Sequence, residues 1–164
     1  MAEQEVHVGM GDLVVSRNSG ILTIIGLGSC VGVALYYSKG KIGGLSHVML
    51  SNSTKSRPSA NMDKYADIGL PKMLLAMQKI GAEPQSMTAR LIGGANMFKS
   101  SAGVSVGGFN IGENNVTACR EFCKTQKIRI TGEEVLGNKG RTMRFDLNTG
   151  KISVRYVDGT ILEL

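Results

Sequence analysis

The chain has 164 residues, 42% of them hydrophobic, which suits one domain spanning residues 1–164 with a proper core. Its net charge is +6, and the basic residues are scattered rather than blocked. No apolar run is long enough to cross a membrane. Four Phe, four Tyr and no Trp offer little for stacking on nucleic acid, and no ribonucleoprotein or helix-turn-helix pattern is evident. The charge is read as favouring an acidic protein partner, with plain solubilising charge as the alternative. The three cysteines show no disulfide-framework spacing, and residues 1–9 lack a basic region leading into an apolar stretch. Free thiols in a cytoplasmic protein are therefore expected.

Residues 5–8 and 12–16 alternate loosely and predict a short strand pair around Gly9-Met10-Gly11. Residues 21–25, 31–37 and 41–49 predict three strands, the last two joined as an antiparallel hairpin at Ser38-Lys39-Gly40. Residues 51–63 form the longest predicted loop. It follows the third of these strands directly, so it is read either as a rim over a site or as an ordinary connector. Met73, Leu74, Met77 and Ile80 make a helical stripe that Gly81 ends, and Pro71 is expected in that helix's first turn. Residues 88–92 predict another strand. The glycine-rich stretch 93–112 lacks the Gly-Lys-Ser/Thr ending of a phosphate loop, so it reads as a shaped binding loop.

Residues 113–127 predict a second helix with Val116, Cys119 and Cys123 on one face. Two cysteines four apart on an apolar face are most simply small core residues. A zinc site uniting them with Cys30 and His47 would need that helix face to meet the Cys30 turn. Residues 128–132 and 133–136 look extended, and 137–141 is a basic glycine turn. Met143, Phe145 and Leu147, then Ile152, Val154 and Tyr156, alternate as a half-exposed hairpin before a last strand near 160–164. Hairpins outnumber strand–helix alternations, so the fold class is α+β with mixed or antiparallel sheet.

The chemistry concentrates at Gly26-Leu27-Gly28-Ser29-Cys30-Val31. There an apolar strand ends in a small-residue tip carrying one cysteine. His47 lies in the second strand of the following hairpin, Ile42-Gly43-Gly44-Leu45-Ser46-His47-Val48. A thiol of pKa about 8.5 needs a partner to become a nucleophile near neutrality, and an imidazole at the same sheet end would serve. On pattern alone, Cys30 is as readily a buried structural thiol, and His47 a core histidine bonded to a carbonyl.

The run Gly26–Val31 followed by Gly43–Leu50 resembles the CheD family of bacterial chemotaxis deamidases. The likeness continues, in order and in register, through Lys64–Asp67, Ile92–Phe98, Asn110–Asn115 and Leu136–Arg141. It implies a layered sandwich of sheets flanked by two main helices. The implied activity is hydrolysis of glutamine amides to glutamate on chemoreceptor cytoplasmic helices, by a monomer with no cofactor and no metal. Cys30 would attack, His47 would move the proton, and N–H groups of the Gly28-Ser29-Cys30 tip would hold the oxyanion. The CheC phosphatase is implied as a second partner, and a docking module without strong catalysis is the alternative function. Asn96, Phe98 and Arg141 are the candidate partner contacts.

One position departs from the family pattern. A threonine expected six residues before the cysteine is Ile24 here, leaving Thr23, Ser46 or a backbone carbonyl to orient His47.

Overall fold

The computed structural model describes residues 3–54, 56–57, 59–97 and 110–164. Among the described residues, ten strands form two five-stranded sheets. Sheet A holds β1 (Glu5–His7), β3 (Ile21–Leu27), β8 (Arg141–Asp146), β9 (Ile152–Tyr156) and β10 (Ile161–Glu163), in that spatial order. Sheet B runs β2 (Leu13–Arg17), β5 (Ile42–Val48), β4 (Val31–Tyr37), β6 (Thr88–Gly93), β7 (Arg129–Val135). Helices α1 (Ala66–Lys79) and α2 (Ile111–Thr125) cover one face of sheet B, and sheet A covers the other.

Sheet B is therefore buried on both faces, and its central strands are apolar at nearly every position for that reason. Along β4, Val31, Val33, Leu35 and Tyr37 meet the helices, whereas Ala34 and Tyr36 join Ile24, Leu45, Met143 and Phe145 between the sheets. The strand's period of two sorts its residues into the two cores. On α1, Ala66, Gly69, Leu70, Met73, Leu74 and Met77 recur at helical spacing on the buried face. Each large side chain among them contributes about 1.5–3 kcal/mol by leaving water.

The α+β sandwich, the β4–β5 and β8–β9 hairpins, both helices and the stop at Gly81 (φ 107°) follow the sequence expectations. Three details do not. Residues 5–8 and 12–16 are not partners: β1 pairs with β3 in parallel, and β2 pairs with β5 in the other sheet. Alternation shows that a segment is extended but not which sheet it joins. Pro71 lies inside α1, because burial of Ala66, Gly69 and Leu70 extends the helix toward its N-terminus. Residues 128–136 give a single strand, β7, parallel to β6.

Candidate active site

The tip Gly28-Ser29-Cys30 lies where the chain leaves sheet A at the end of β3 and enters sheet B at the start of β4. A register shift in β3 between Ile24 and Leu27 marks the departure, with Gly26 at φ 73°. The tip is held from behind by its carbonyls. Gly28 O accepts from Ala95 N at 2.8 Å, and Cys30 O accepts from Gly94 N at 2.8 Å. Ser29 O accepts from the Asn115 amide at 3.0 Å. Gly93, at φ 110°, passes so close to Cys30 O that a Cβ there would collide with it. Among the described residues, no backbone carbonyl accepts from the N–H of Ser29 or Cys30. The peptide groups are all trans, so each N–H points opposite to the carbonyl it is bonded with. Fixing the carbonyls therefore leaves the N–H groups facing away from their anchors.

Val31 pairs with Val48 and Gly32 with His47. Continued one residue past β4, this register sets Cys30 opposite Met49 and diagonal to His47. Diagonal neighbours in a regular sheet stand about 7–8 Å apart, within reach of two longer side chains. Cys30 packs against the inter-sheet core. His47 shares strand parity with Gly43 and Leu45, which face that same layer. The sulfur and the imidazole thus belong to one compartment and one sheet end.

His47 is 4% exposed, and its Nδ1 lies 3.2 Å from the carbonyl of Val8. Nδ1–H donating to Val8 leaves Nε2 as the basic nitrogen. The crossing from β1 to β2 makes this contact: Val8 N bonds Thr23 O beside β3, then the chain turns over to bond His47 N through Asp12 O and His47 O through Gly11 N. What looks in sequence like a hairpin turn is the cradle of the histidine. No local signal announces it, because the cradle depends on two segments joining different sheets.

The cradle also answers the departure at position 24. Ile24 is fully buried in the inter-sheet core next to Val8, and offers no hydrogen bond. Thr23 does not replace it. Adjacent strand residues face opposite ways, and its hydroxyl donates to Glu5 Oε1 at 2.8 Å on the outer face of sheet A. Ser46 likewise faces the helix side of sheet B, where its hydroxyl is buried without a partner among the described residues. The backbone carbonyl of Val8 is the group that bonds the imidazole.

Burial disfavours the charged form of both groups. Burial pushes the Cys30 thiol up. Burial also pushes His47 down, against the smaller opposing pull of the Val8 carbonyl and Asp12. Desolvation favours the uncharged form of each group, and at His47 it outweighs the pull of the Asp12 charge. The arrangement suits proton transfer in step with bond formation rather than a standing ion pair.

Two exposed apolar side chains flank the tip. Met97 is 51% exposed with its Cγ against Gly28, and Val157 is 83% exposed beside Gly140. Of the expected partner contacts, Asn96 lies next to this rim, its N–H bonded to Gly137 O at 2.8 Å. Phe98 lies outside the described residues. Arg141 is not a surface contact. It is 3% exposed, donates to the carbonyls of Glu134, Leu136 and Lys139, and stacks on Tyr156. Its charge organises the Leu136–Gly140 turn from within. That turn bonds Gly93 and Asn96, so it buttresses the strand end behind Cys30.

Cys119 and Cys123 are fully buried in the helix-side core, with sheet B between them and Cys30. Among the described residues, no three His, Cys, Asp or Glu side chains cluster so as to hold a metal ion. No helix among them is long and apolar enough to cross a membrane.

The family profile described as "CheD chemotactic sensory transduction" matches residues 49–156. Full-length relatives extend the match across the Cys30 tip and the His47 strand. A protein of Clostridium botulinum strain Alaska E43, named "Probable chemoreceptor glutamine deamidase CheD", is 40% identical over all of both chains. The protein of the same name from strain Eklund 17B is 41% identical, again over all of both chains. This chain belongs to the CheD family. A third CheD relative, from strain Hall, is 42% identical over 94% of each chain. The full-length matches span the glycine tip, the histidine strand and the Asn110–Asn115 helix start together.

Proposed function

We propose that this protein is a chemoreceptor glutamine deamidase, with Cys30 as nucleophile and His47 as the proton carrier. The observation that carries the reading is the shared compartment of Cys30 and His47 at one sheet end, in a chain matched over its full length by relatives named for that activity. An amphipathic receptor helix would lay apolar residues on Met97 and Val157 and present a glutamine to the tip. His47 Nε2 takes the thiol proton as the sulfur bonds to the amide carbon. The carbonyl oxygen gains negative charge and meets the N–H groups of Ser29 and Cys30. The imidazolium returns its proton to the nitrogen as the C–N bond breaks, releasing ammonia and leaving a thioester. Water, deprotonated by His47, then hydrolyses the thioester to glutamate and restores the thiol. The chemistry needs no metal and no organic cofactor, and the reading places the protein in the cytoplasm.

The test is mass spectrometry of a chemoreceptor cytoplasmic fragment after incubation with the protein. Specific glutamines gain the mass of an amide-to-acid change with wild type and not with Cys30→Ala. No conversion by wild type would remove the enzymatic reading. The burial that disfavours the charged forms of Cys30 and His47 supports a second reading, a weakly catalytic module that docks to receptors and to the CheC phosphatase. In that case Cys30→Ala retains both interactions and any effect on the phosphatase in full.

A further inference from the structure

Asn115 lies one turn into α2 and is 1% exposed. Its amide nitrogen spends both hydrogens on backbone carbonyls: Ser29 O at 3.0 Å and Met49 O at 2.9 Å. Two carbonyl acceptors fix which end of the amide is nitrogen. One side chain therefore ties the nucleophile tip to the residue just past the histidine strand. Its Oδ1 is buried without a hydrogen-bond partner among the described residues. An aliphatic side chain of similar size would leave no such orphan, so packing alone does not account for an amide here.

The consequence follows from peptide geometry. Ser29 C=O and Cys30 N–H belong to the same trans peptide and point in opposite directions. Holding the carbonyl toward α2 turns the Cys30 N–H away from α2. The two other tip carbonyls are held by backbone N–H groups of Gly94 and Ala95, so among the described residues Asn115 is the one side chain in the clamp. We propose that Asn115 is a positioning residue that aims the Cys30 N–H at the developing oxyanion. It touches no substrate atom and acts through the Ser29–Cys30 peptide.

The test separates two reactions of the same sulfur. Acylation of Cys30 by p-nitrophenyl acetate passes through a tetrahedral oxyanion, whereas alkylation by iodoacetamide is a direct displacement without one. Asn115→Ala and the near-isosteric Asn115→Leu are expected to slow Cys30 acylation about tenfold or more, while alkylation stays within about twofold of wild type. On a receptor fragment the same variants lower kcat and leave KM in place. Cys119→Ala, one turn further along the same buried face, loosens α2 without touching either carbonyl and leaves the acylation-to-alkylation ratio at the wild-type value.

Equal falls in both reactions, or an equal change of ratio in Cys119→Ala, would overturn the assignment and make the amide a structural tie. Failure of both Asn115 variants to fold would do the same. The inference rests on the deamidase reading, yet the two fail separately. A wild type that acylates through an Asn115-dependent step but converts no receptor glutamine sinks the reading and spares the clamp. A converting enzyme indifferent to Asn115 does the reverse.

Discussion

The two faces of sheet B give cysteine opposite fates. On the helix side, Cys119 and Cys123 are sealed among Val116, Leu91 and Met77. Burial and the neighbouring thiol raise Cys119 far out of the titratable range, and burial with the Glu133 charge raises Cys123 to about 11. On the inter-sheet side, Cys30 stands at a strand end, half-buried, with a histidine in its layer and backbone donors that bond no carbonyl among the described residues. Burial pushes all three thiols up, the two on the helix side furthest. What distinguishes Cys30 is the edge: only where the sheets part can a substrate enter and a proton acceptor stand within reach. The lesson is that placement at the opening between layers separates the thiol proposed as nucleophile from the two sealed in the core.

The comparison breaks most sharply at the imidazole. His47→Ala is expected to lower kcat for receptor deamidation about 10²–10⁴-fold while Cys30 remains in place, the usual worth of a positioned general acid–base. Wild-type rates in that variant would mean that the opening alone suffices. A smaller effect is expected from Gly32→Ala. A Cβ at Gly32, directly across from His47, collides with the Met143 sulfur and crowds Ile24 Cδ1 at 3.1 Å. Overpacking of that core costs about 1–3 kcal/mol, read as a lower midpoint in urea melts. An unchanged midpoint would show that the inter-sheet core has slack that the close approach conceals.

Cys119→Ser sharpens the other face. A hydroxyl in the sealed helix-side core lowers stability by about 1–3 kcal/mol in the same melts, and leaves the alkylation rate of Cys30 unchanged. If Cys30 slows in step, the two faces are coupled through sheet B. The smallest effect is a slope with pH. The folded His47 pKa lies below its ordinary 6.5, so between the two values the unfolded chain binds a proton that the folded chain refuses. Stability is therefore full above about pH 6.5 and declines as pH falls below it. His47→Gln removes that part of the slope in melts taken from pH 7.5 to 5. A slope that persists unaltered would assign it to groups other than His47.

Much of the layout was legible in short stretches of residues. Alternation at Met143, Phe145, Ile152 and Val154 marked a hairpin with one buried side, because a strand's period of two must match a core on one face. The stripe from Met73 to Met77 and the face Val116–Cys119–Cys123 marked two helices for the equivalent reason at a period of 3.6. Cys30 and His47 stood out because a small-residue tip and a tight hairpin predict their common end. The functions of Arg141, Asn115 and Thr23 were not visible. Arg141 in a basic turn looked like surface, yet its guanidinium fills the turn from inside, since three loop carbonyls converge there. A residue type reports what a side chain can bond, not what the fold brings to it.

The amino-acid order by itself determined the strands, the helices, the placing of a thiol and an imidazole at one hairpin end, and the family they belong to, because each of these depends on neighbours in the chain or on matched motifs. Only the tertiary structure decided that β1 and β2 part to opposite sheets and bring the Val8 carbonyl to His47, and that α2 sends Asn115 to the Ser29–Cys30 turn. Those contacts join segments 39 and 86 residues apart. Hydrogen bonds across such separations follow from how buried faces stack, and stacking is settled by all the layers at once.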